Sequence, residues 1–194
     1  IPFMAKKGKV IILVAPSGGG KTTLARRLFK DFEQLKFSVS ATTRSPRIGE
    51  VHGKHYYFLS DADFEEKVKA GEFLEWEEFY GGKKYGTLRS EVDKKLNSGY
   101  FVVLDIEVKG AVNIKRIYGD ESLSLFIQPP SIETLKQRLI DRGTEDDKNL
   151  ALRLERAKKE LTYADQFDQV IINDDLDSAY AKVKKAVIKF MNQN

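Results

Sequence analysis

The sequence has 194 residues, 41% of them hydrophobic, which is enough for one sizeable core and falls within the usual single-domain range of about 100–200 residues. Lys and Arg number 33 against 29 Asp and Glu, and the resulting formal charge of +4 suits small anions while excluding the dense basic tract of a nucleic-acid-binding arm. With 0 cysteines and only His52 and His55 as histidines, a disulfide framework, a thiolate metal site and a structural zinc site are excluded, and no apolar stretch approaches the roughly 20 residues of a membrane span.

Met4 reads as the natural start, with Ile1, Pro2 and Phe3 as a remnant before it. "MAKKGK" leads directly into a strand without the apolar core of a signal peptide, so a cytoplasmic chain is expected. The periodicity then predicts a strand at 9–15, a helix at 21–35, strands at 37–42 and 55–59, and a helix at 61–70. Ser60 is placed to cap that helix and Gly71 to end it. A strand at 72–79 follows, then a helix at 87–98 closed by Gly99, a strand at 100–106, a helix at 107–118 and a strand at 122–127. Ser131, after "PP", caps a predicted helix at 131–142 that Gly143 ends. A helix at 145–164, a strand at 168–173 and a helix at 175–191 complete the chain. Strand and helix in alternation predict an α/β fold, a parallel sheet with helices on both faces. "LVA", "VVLDI" and "QVIIND" read as continuously buried central strands. Segment 41–94, richer in Tyr, Glu and Gly, reads as an insertion of mixed strands on a core of 4–40, 95–130 and 161–194, all within one domain.

The stretch "APSGGGKTT", residues 15–23, stands between the first strand and the first helix. Glycines at such a junction let the backbone fold into a concave nest of N–H groups, to which the helix N-terminus adds its positive end, and this holds phosphate. Lys21 would place a point charge on the β and γ phosphates, and the Thr22 hydroxyl would be a ligand for Mg2+. The pattern GxxxxGK[ST] is met at Gly20, Lys21 and Thr22, while Ala15 stands at its first glycine. The alternative, a merely flexible turn, does not account for Lys21.

From here the chain resembles the guanylate kinases, nucleoside monophosphate kinases that move a phosphoryl group from ATP to GMP. "APSGGGKTT", "SATTRSPRIGEVHGKHYYF", "EFLEWEEF", "YGT", "VLDIEVKG", "LFIQPPS", "RLIDRGTEDD" and "VIINDDLDSAY" occur in the family's order and spacing over nearly the whole chain. Members often carry Ala where Ala15 stands. One departure is Glu107, where the family commonly has Asp.

The resemblance implies residue roles, some of which the residues also support directly. Arg44 and Arg47 flank Pro46 in a segment too broken for a helix, so both guanidinium forks can converge on one anion; the alternative is a solvated loop. In the family the residues matching Arg44, Arg47, Tyr56 and Tyr85 hold the GMP phosphate, and Glu50 belongs to the same site. In "EFLEWEEF" a carboxylate can accept from guanine N1–H and N2–H2 together but is repelled by the N1 acceptor of adenine. The resemblance assigns this selection to Glu75, helped by Asp105, Ser40 and Thr87, and leaves Glu72, Glu77 and Glu78 as an exposed strand edge. For ATP it implies Ala15, Pro16, Ser17, Gly18, Gly19, Gly20, Lys21, Thr22 and Thr23, with Asn173 near the adenine. Thr22 and Glu107 are implied for Mg2+, which enters with ATP. Arg138 and Arg142 share a helix face at a spacing of four, and Arg153 lies on the next helix. With Lys21 and Arg44 these are the implied catalytic cations, and 131–160 is the implied lid, expected to close on nucleotide together with 41–94. The expected partners are the nucleotides ATP and GMP, without nucleic acid or membrane, in a monomer or homodimer. Three rivals stand beside this reading. A guanylate-kinase-like interaction module would lack a working phosphate loop, which Lys21 and Gly18 to Gly20 argue against. A kinase for AMP, UMP or dTMP is argued against by Glu75, and a nucleic-acid binder, suggested only by the basic balance, lacks an aromatic and basic platform.

Overall fold

The computed structural model describes residues 7–16, 20–141 and 147–193. In chain order these form β1 (Val10–Val14), α1 (Lys21–Asp31), β2 (Leu35–Phe37), β3 (Ala41–Thr42), β4 (Tyr57–Phe58), α2 (Asp61–Lys69), β5 (Phe73–Glu78), β6 (Lys84–Leu88) and α3 (Arg89–Asn97). β7 (Phe101–Asp105), α4 (Val108–Tyr118), β8 (Ser122–Gln128), α5 (Ile132–Asp141), α6 (Asp147–Leu161), β9 (Gln169–Ile172) and α7 (Leu176–Met191) follow, with three short 3-10 turns between elements.

Five strands make one sheet in the order β2-β7-β1-β8-β9. β1 runs parallel to β8, from Val10↔Ser122 to Val14↔Phe126, and β8 runs parallel to β9, from Leu125↔Gln169 to Gln128↔Ile172. All five residues of β1 are fully buried, as a strand covered on both faces requires. β9 differs from expectation. "QVIIND" was expected to be continuously buried, but β9 stands at the sheet edge and only Ile171 of its four residues is buried, with Val170 and Ile172 exposed. An edge strand has one sheet neighbour, and apolar β-branched residues suit a half-buried edge as well as a centre.

The second sheet is mixed, in the order β4-β3-β6-β5, with β3 parallel to β4 and antiparallel to β6, and β5 antiparallel to β6. Its existence agrees with an insertion of mixed strands, but β6 falls where the periodicity predicts loop and the start of a helix. The predicted strand 37–42 is in fact two, with β2 in the first sheet and β3 in the second. α1 stops at Asp31 instead of continuing to 35, because Leu35 is buried as part of β2. Ser60 caps α2 as expected, its Oγ accepting from the Asp63 N–H at 3.0 Å, and the Ser131 Oγ accepts from the Thr134 N–H at 3.0 Å at the start of α5. Gly143 lies outside the described residues.

The chain divides into two compact units: one holds Lys36–Val102 with the residues just before β1, the other Val10–Leu35 and the chain from Val103 onward. In the first unit, Ala41, Phe64 and Leu88 form a core with Tyr57, Leu59, Val68 and Phe73 around it. In the second, α5 and α6 pack through Leu135, Leu139 and Ala157 against Leu150 and Leu154.

Candidate functional site

The second unit holds the residues expected at the phosphate loop. Ala15 and Pro16 are buried at the exit of β1, while Ser17, Gly18 and Gly19 lie outside the described residues. Gly20 is the N-cap of α1 with φ 85°, a left-handed conformation that favours glycine, and a Cβ there would run into the Asn173 amide. The structure thus brings together Gly20 and Asn173, two residues expected at ATP from opposite ends of the chain. Lys21 opens α1, and its Nζ lies 2.6 Å from Asp105 Oδ1 and 3.4 Å from the Ile106 carbonyl, both at the exit of β7. Thr22 and Thr23 are exposed on the first turn of α1.

Arg138, expected among the catalytic cations, donates through Nη2 to the Asn173 carbonyl at 2.9 Å and the Asp174 carbonyl at 3.3 Å, so α5 is tied to the exit of β9. Arg153 is exposed on α6, and Arg142 lies outside the described residues. Glu107 is the N-cap residue of α4, and its Oε2 accepts from Arg156 Nη2 at 3.0 Å. Arg156 also donates from Nε to Glu160 Oε1 at 2.9 Å. Burial raises the Glu160 pKa above the ordinary carboxylate range, against the opposing pull of the Arg156 hydrogen bond. Neither Arg156 nor Glu160 was singled out from the sequence, where their only signal is an i,i+4 spacing.

The first unit holds eight of the nine residues expected at GMP; Asp105 belongs to the second, paired with Lys21. The register explains why six of those eight gather. Thr42 pairs with Tyr85 and with Phe58, Glu75 with Thr87, and Glu77 with Tyr85. Side chains alternate along a strand, so Thr42, Phe58, Tyr85, Thr87, Glu75 and Glu77 share one face. Continuing the alternation outward from β3 and β4 brings Ser40, Arg44 and Tyr56 to the same side. The opposite face carries Ala41, Tyr57, Phe73, Trp76 and Leu88 toward Phe64 of α2, with the Phe64 and Phe73 rings stacked at 4.4 Å.

Regular alternation would put Phe73 and Glu75 on the same side. A register shift between them lets Phe73 oppose Leu88 on the apolar face and Glu75 oppose Thr87 on the polar one. Thr87 Oγ1 donates to Glu75 Oε1 at 2.6 Å. Gly86, which precedes Thr87 on β6 and opposes Trp76, has no room for a side chain: a Cβ would stand 2.7 Å from Phe73 Cδ1 and 2.9 Å from Trp76 Cβ. The glycine of "YGT" is therefore needed for close packing of two aromatic residues.

Arg44 forms a bidentate pair with Glu50, Nη1 to Oε2 at 2.7 Å and Nη2 to Oε1 at 2.8 Å, and the Arg47 N–H also donates to Glu50 at 2.7 Å. These bonds, Arg44 first, hold the Glu50 carboxyl at about 2, and the pairing raises the Arg44 pKa. The Arg44 guanidinium lies 5.1 Å from the Tyr56 ring centre, and the Tyr56 and Tyr85 rings meet edge to face at 6.0 Å. Arg47 is exposed. Of the glutamates expected at an exposed strand edge, Glu72, just before β5 and paired with Lys67 at 2.8 Å, and Glu78, on the edge strand β5, are exposed, whereas Glu77 is half-buried on the polar face.

Among the described residues no group of three or more His, Cys, Asp or Glu could hold a metal ion, and no helix is long and apolar enough to cross a membrane.

A family model described as guanylate kinase matches residues 7–190. The chain is 49% identical over 184 residues to the guanylate kinase of Chlorobium chlorochromatii, covering 95% of this chain and 96% of that one. It is 47% identical over 190 residues to the guanylate kinase of Bacteroides fragilis, covering 98% and 93%. Among solved structures, the guanylate kinase from Anaplasma phagocytophilum superposes with a TM-score of 0.75 at 28% identity, over 98% of this chain and 90% of that one. With Gly20 and Lys21 opening α1, Asn173 beside Gly20, and a polar sheet face bearing Arg44, Tyr56, Glu75, Tyr85 and Thr87, these matches over almost the full length lead to one conclusion: the chain belongs to the guanylate kinase family.

Proposed function

We propose that the chain transfers the γ-phosphoryl group of ATP to GMP, giving ADP and GDP, in the cytoplasm. The observation that carries this reading is the polar face of the mixed sheet, where a carboxylate braced by a hydroxyl, Glu75 with Thr87, lies on the same side as an arginine and two tyrosines. The first pair suits a donor edge such as guanine N1–H and N2–H2, and the second group suits a phosphate. The second unit supplies the donor side, with Gly20 and Lys21 opening α1 and Asn173 beside Gly20.

A monophosphate ester is largely dianionic at neutral pH, its second pKa being about 6, so the acceptor needs no general base. The chemistry left to the protein is to hold two anions in line against their repulsion. Lys21 contributes a positive charge where the donor's β and γ phosphates would lie. Arg44 contributes one at the acceptor phosphate, oriented in advance by its two bonds to Glu50. Arg138, Arg142 and Arg153 would neutralise charge on the transferring group.

The residues fit a Mg2+ that arrives on the nucleotide better than one resident in the protein. Mg2+ keeps most of its waters and takes one or two protein oxygens together with substrate phosphates. The exposed Thr22 hydroxyl and the Glu107 carboxylate, held by Arg156, are such oxygens. When bound, the ion would offset negative charge on the donor phosphates.

An ADP-release assay with ATP and GMP, AMP, UMP and dTMP in turn tests the reading. GMP is expected to give by far the highest kcat/KM. Preference for another monophosphate overturns the acceptor assignment, and no turnover with any of them restores the interaction module.

A further inference from the structure

The first unit contains a carboxylate that the assigned sites do not use. Glu91, in the first turn of α3, is 8% exposed, and an ionised carboxylate at that depth persists only with partners. Two of its three partners lie far away in the chain. Oε1 accepts from the Val39 backbone N–H at 3.4 Å and pairs with Lys95 one helical turn on, while Oε2 accepts from the Tyr57 hydroxyl at 3.0 Å. The Tyr57 N–H in turn donates to the Ser40 carbonyl at 2.9 Å.

These bonds close a ring running from Glu91 through Val39, Ser40 and Tyr57 back to Glu91. Each of the two anchors, Val39 and Tyr57, has a residue expected at GMP next to it in sequence. Val39 precedes Ser40, and Tyr57 follows Tyr56, whose ring supports Arg44. Tyr57 packs into the apolar cluster on the far face of the sheet, so its hydroxyl reaches Glu91 from behind while its neighbour Tyr56 faces the polar side. We propose that Glu91 is a positioning residue for the acceptor nucleotide: it sets Ser40 and Tyr56 from behind the sheet without touching the ligand. This rests on the acceptor-site reading given above and deepens it.

A role limited to docking α3 would make Glu91 substitutions lower the melting temperature and leave GMP affinity unchanged. Positioning predicts a split between substrates. For Glu91→Ala the KM for GMP is expected to rise by roughly 10-fold, the low end for loss of a group that orients ligand-contacting residues, with the KM for ATP within about 2-fold of wild type. Glu91→Gln, which keeps the shape and one acceptor, should fall between wild type and Glu91→Ala. Tyr57→Phe should shift the KM for GMP in the same direction. The double variant Glu91→Ala/Tyr57→Phe should show less than the product of the single effects, because both remove one shared bond. Calorimetric titration of GMP without ATP checks the same order by binding alone. If Glu91→Ala fails to fold, Glu91→Gln and Tyr57→Phe carry the test. A KM for GMP unchanged in the folded variants, or a KM for ATP that rises equally, overturns the proposal. A wild-type protein that does not phosphorylate GMP overturns the acceptor-site reading instead.

Discussion

Glu75→Gln is the sharpest test of acceptor choice, because it changes charge and hydrogen-bond polarity while keeping shape. The carboxylate has about four acceptor positions and no proton, and the Thr87 hydroxyl at 2.6 Å takes one. In the variant the amide oxygen can keep Thr87, which leaves the NH2 group where the second carboxylate oxygen stood. Facing guanine N1–H and N2–H2, it would set donor against donor. Losing a hydrogen bond to a charged group is worth about 1.5–3 kcal/mol, and at 1.36 kcal/mol per decade kcat/KM for GMP should fall roughly 10- to 100-fold. The change for AMP, whose N1 is an acceptor, should be smaller or of opposite sign. The assay is ADP release at saturating ATP with GMP and AMP in parallel, reported as the ratio of the two kcat/KM values, so that partial misfolding cancels. Equal losses for both substrates, or no loss for GMP, would refute the selection argument and reduce Glu75 to part of an acidic edge strand.

Lys21→Ala should lower turnover by on the order of 10² or more, since it removes a preorganised charge from the donor phosphates; near-normal turnover with unchanged melting would contradict this. Gly86→Ala drives a Cβ to within 2.7 Å of Phe73 and 2.9 Å of Trp76. Overpacking of that kind costs about 1–3 kcal/mol, which at roughly 2–4 °C per kcal/mol in a chain of this size should be plain in a melting curve followed by circular dichroism. An unchanged melting point would mean that the two aromatic residues give way freely. For Glu50, a carboxyl held at about 2 instead of 4.5 stabilises the folded chain fully above the higher value, and that contribution is lost as pH falls toward the lower one. Wild type should therefore melt above Glu50→Gln at pH 5 and above, with the gap closing between about pH 4.5 and pH 2 and narrowing in high salt. A gap that stays constant down to pH 2 would rule out the ion pair as its source.

What could be read from the sequence was what local pattern determines. β1 is a run of apolar residues ending at a glycine-rich junction, and both its burial and the helix start at Lys21 follow from those features. Strand and helix alternation correctly indicated the parallel sheet. β6 was not legible because Gly86 interrupts it, and that glycine is required by Phe73 and Trp76 on the neighbouring strand. The shift between Phe73 and Glu75 is set by pairing with β6, since a period of two applied to "FLEWEE" alone puts the apolar Phe73 and the charged Glu75 on one side. The end of α1 and the edge position of β9 depend on what the sheet accepts beside β7 and β8. Glu91 and Arg156 escaped notice for the same reason. Val39 and Tyr57, which Glu91 ties together, are 52 and 34 positions from it, and Arg156 meets Glu107 across 49.

The cations proposed to bind phosphate share a feature that bears on turnover: a carboxylate holds each of the two best placed, Glu50 on Arg44 and Asp105 on Lys21. The carboxylate competes with an incoming phosphate, but it also fixes the cation's geometry before the phosphate arrives. For Arg44 the balance favours fixing. An arginine side chain loses much rotamer freedom when it is ordered, and the bonds to Glu50 impose that loss before the phosphate arrives, so the ordering saved is large. The bidentate fork and the Tyr56 ring both hold the guanidinium plane, which is the property a phosphate needs for two parallel hydrogen bonds. For a reaction whose product carries more charge than its acceptor, moderate competition has a second benefit. It weakens ground-state and product binding in equal measure, and such uniform binding does nothing for kcat and would slow product release. A carboxylate beside Arg44 and another beside Lys21 therefore suit an enzyme that aligns two anions and then releases them.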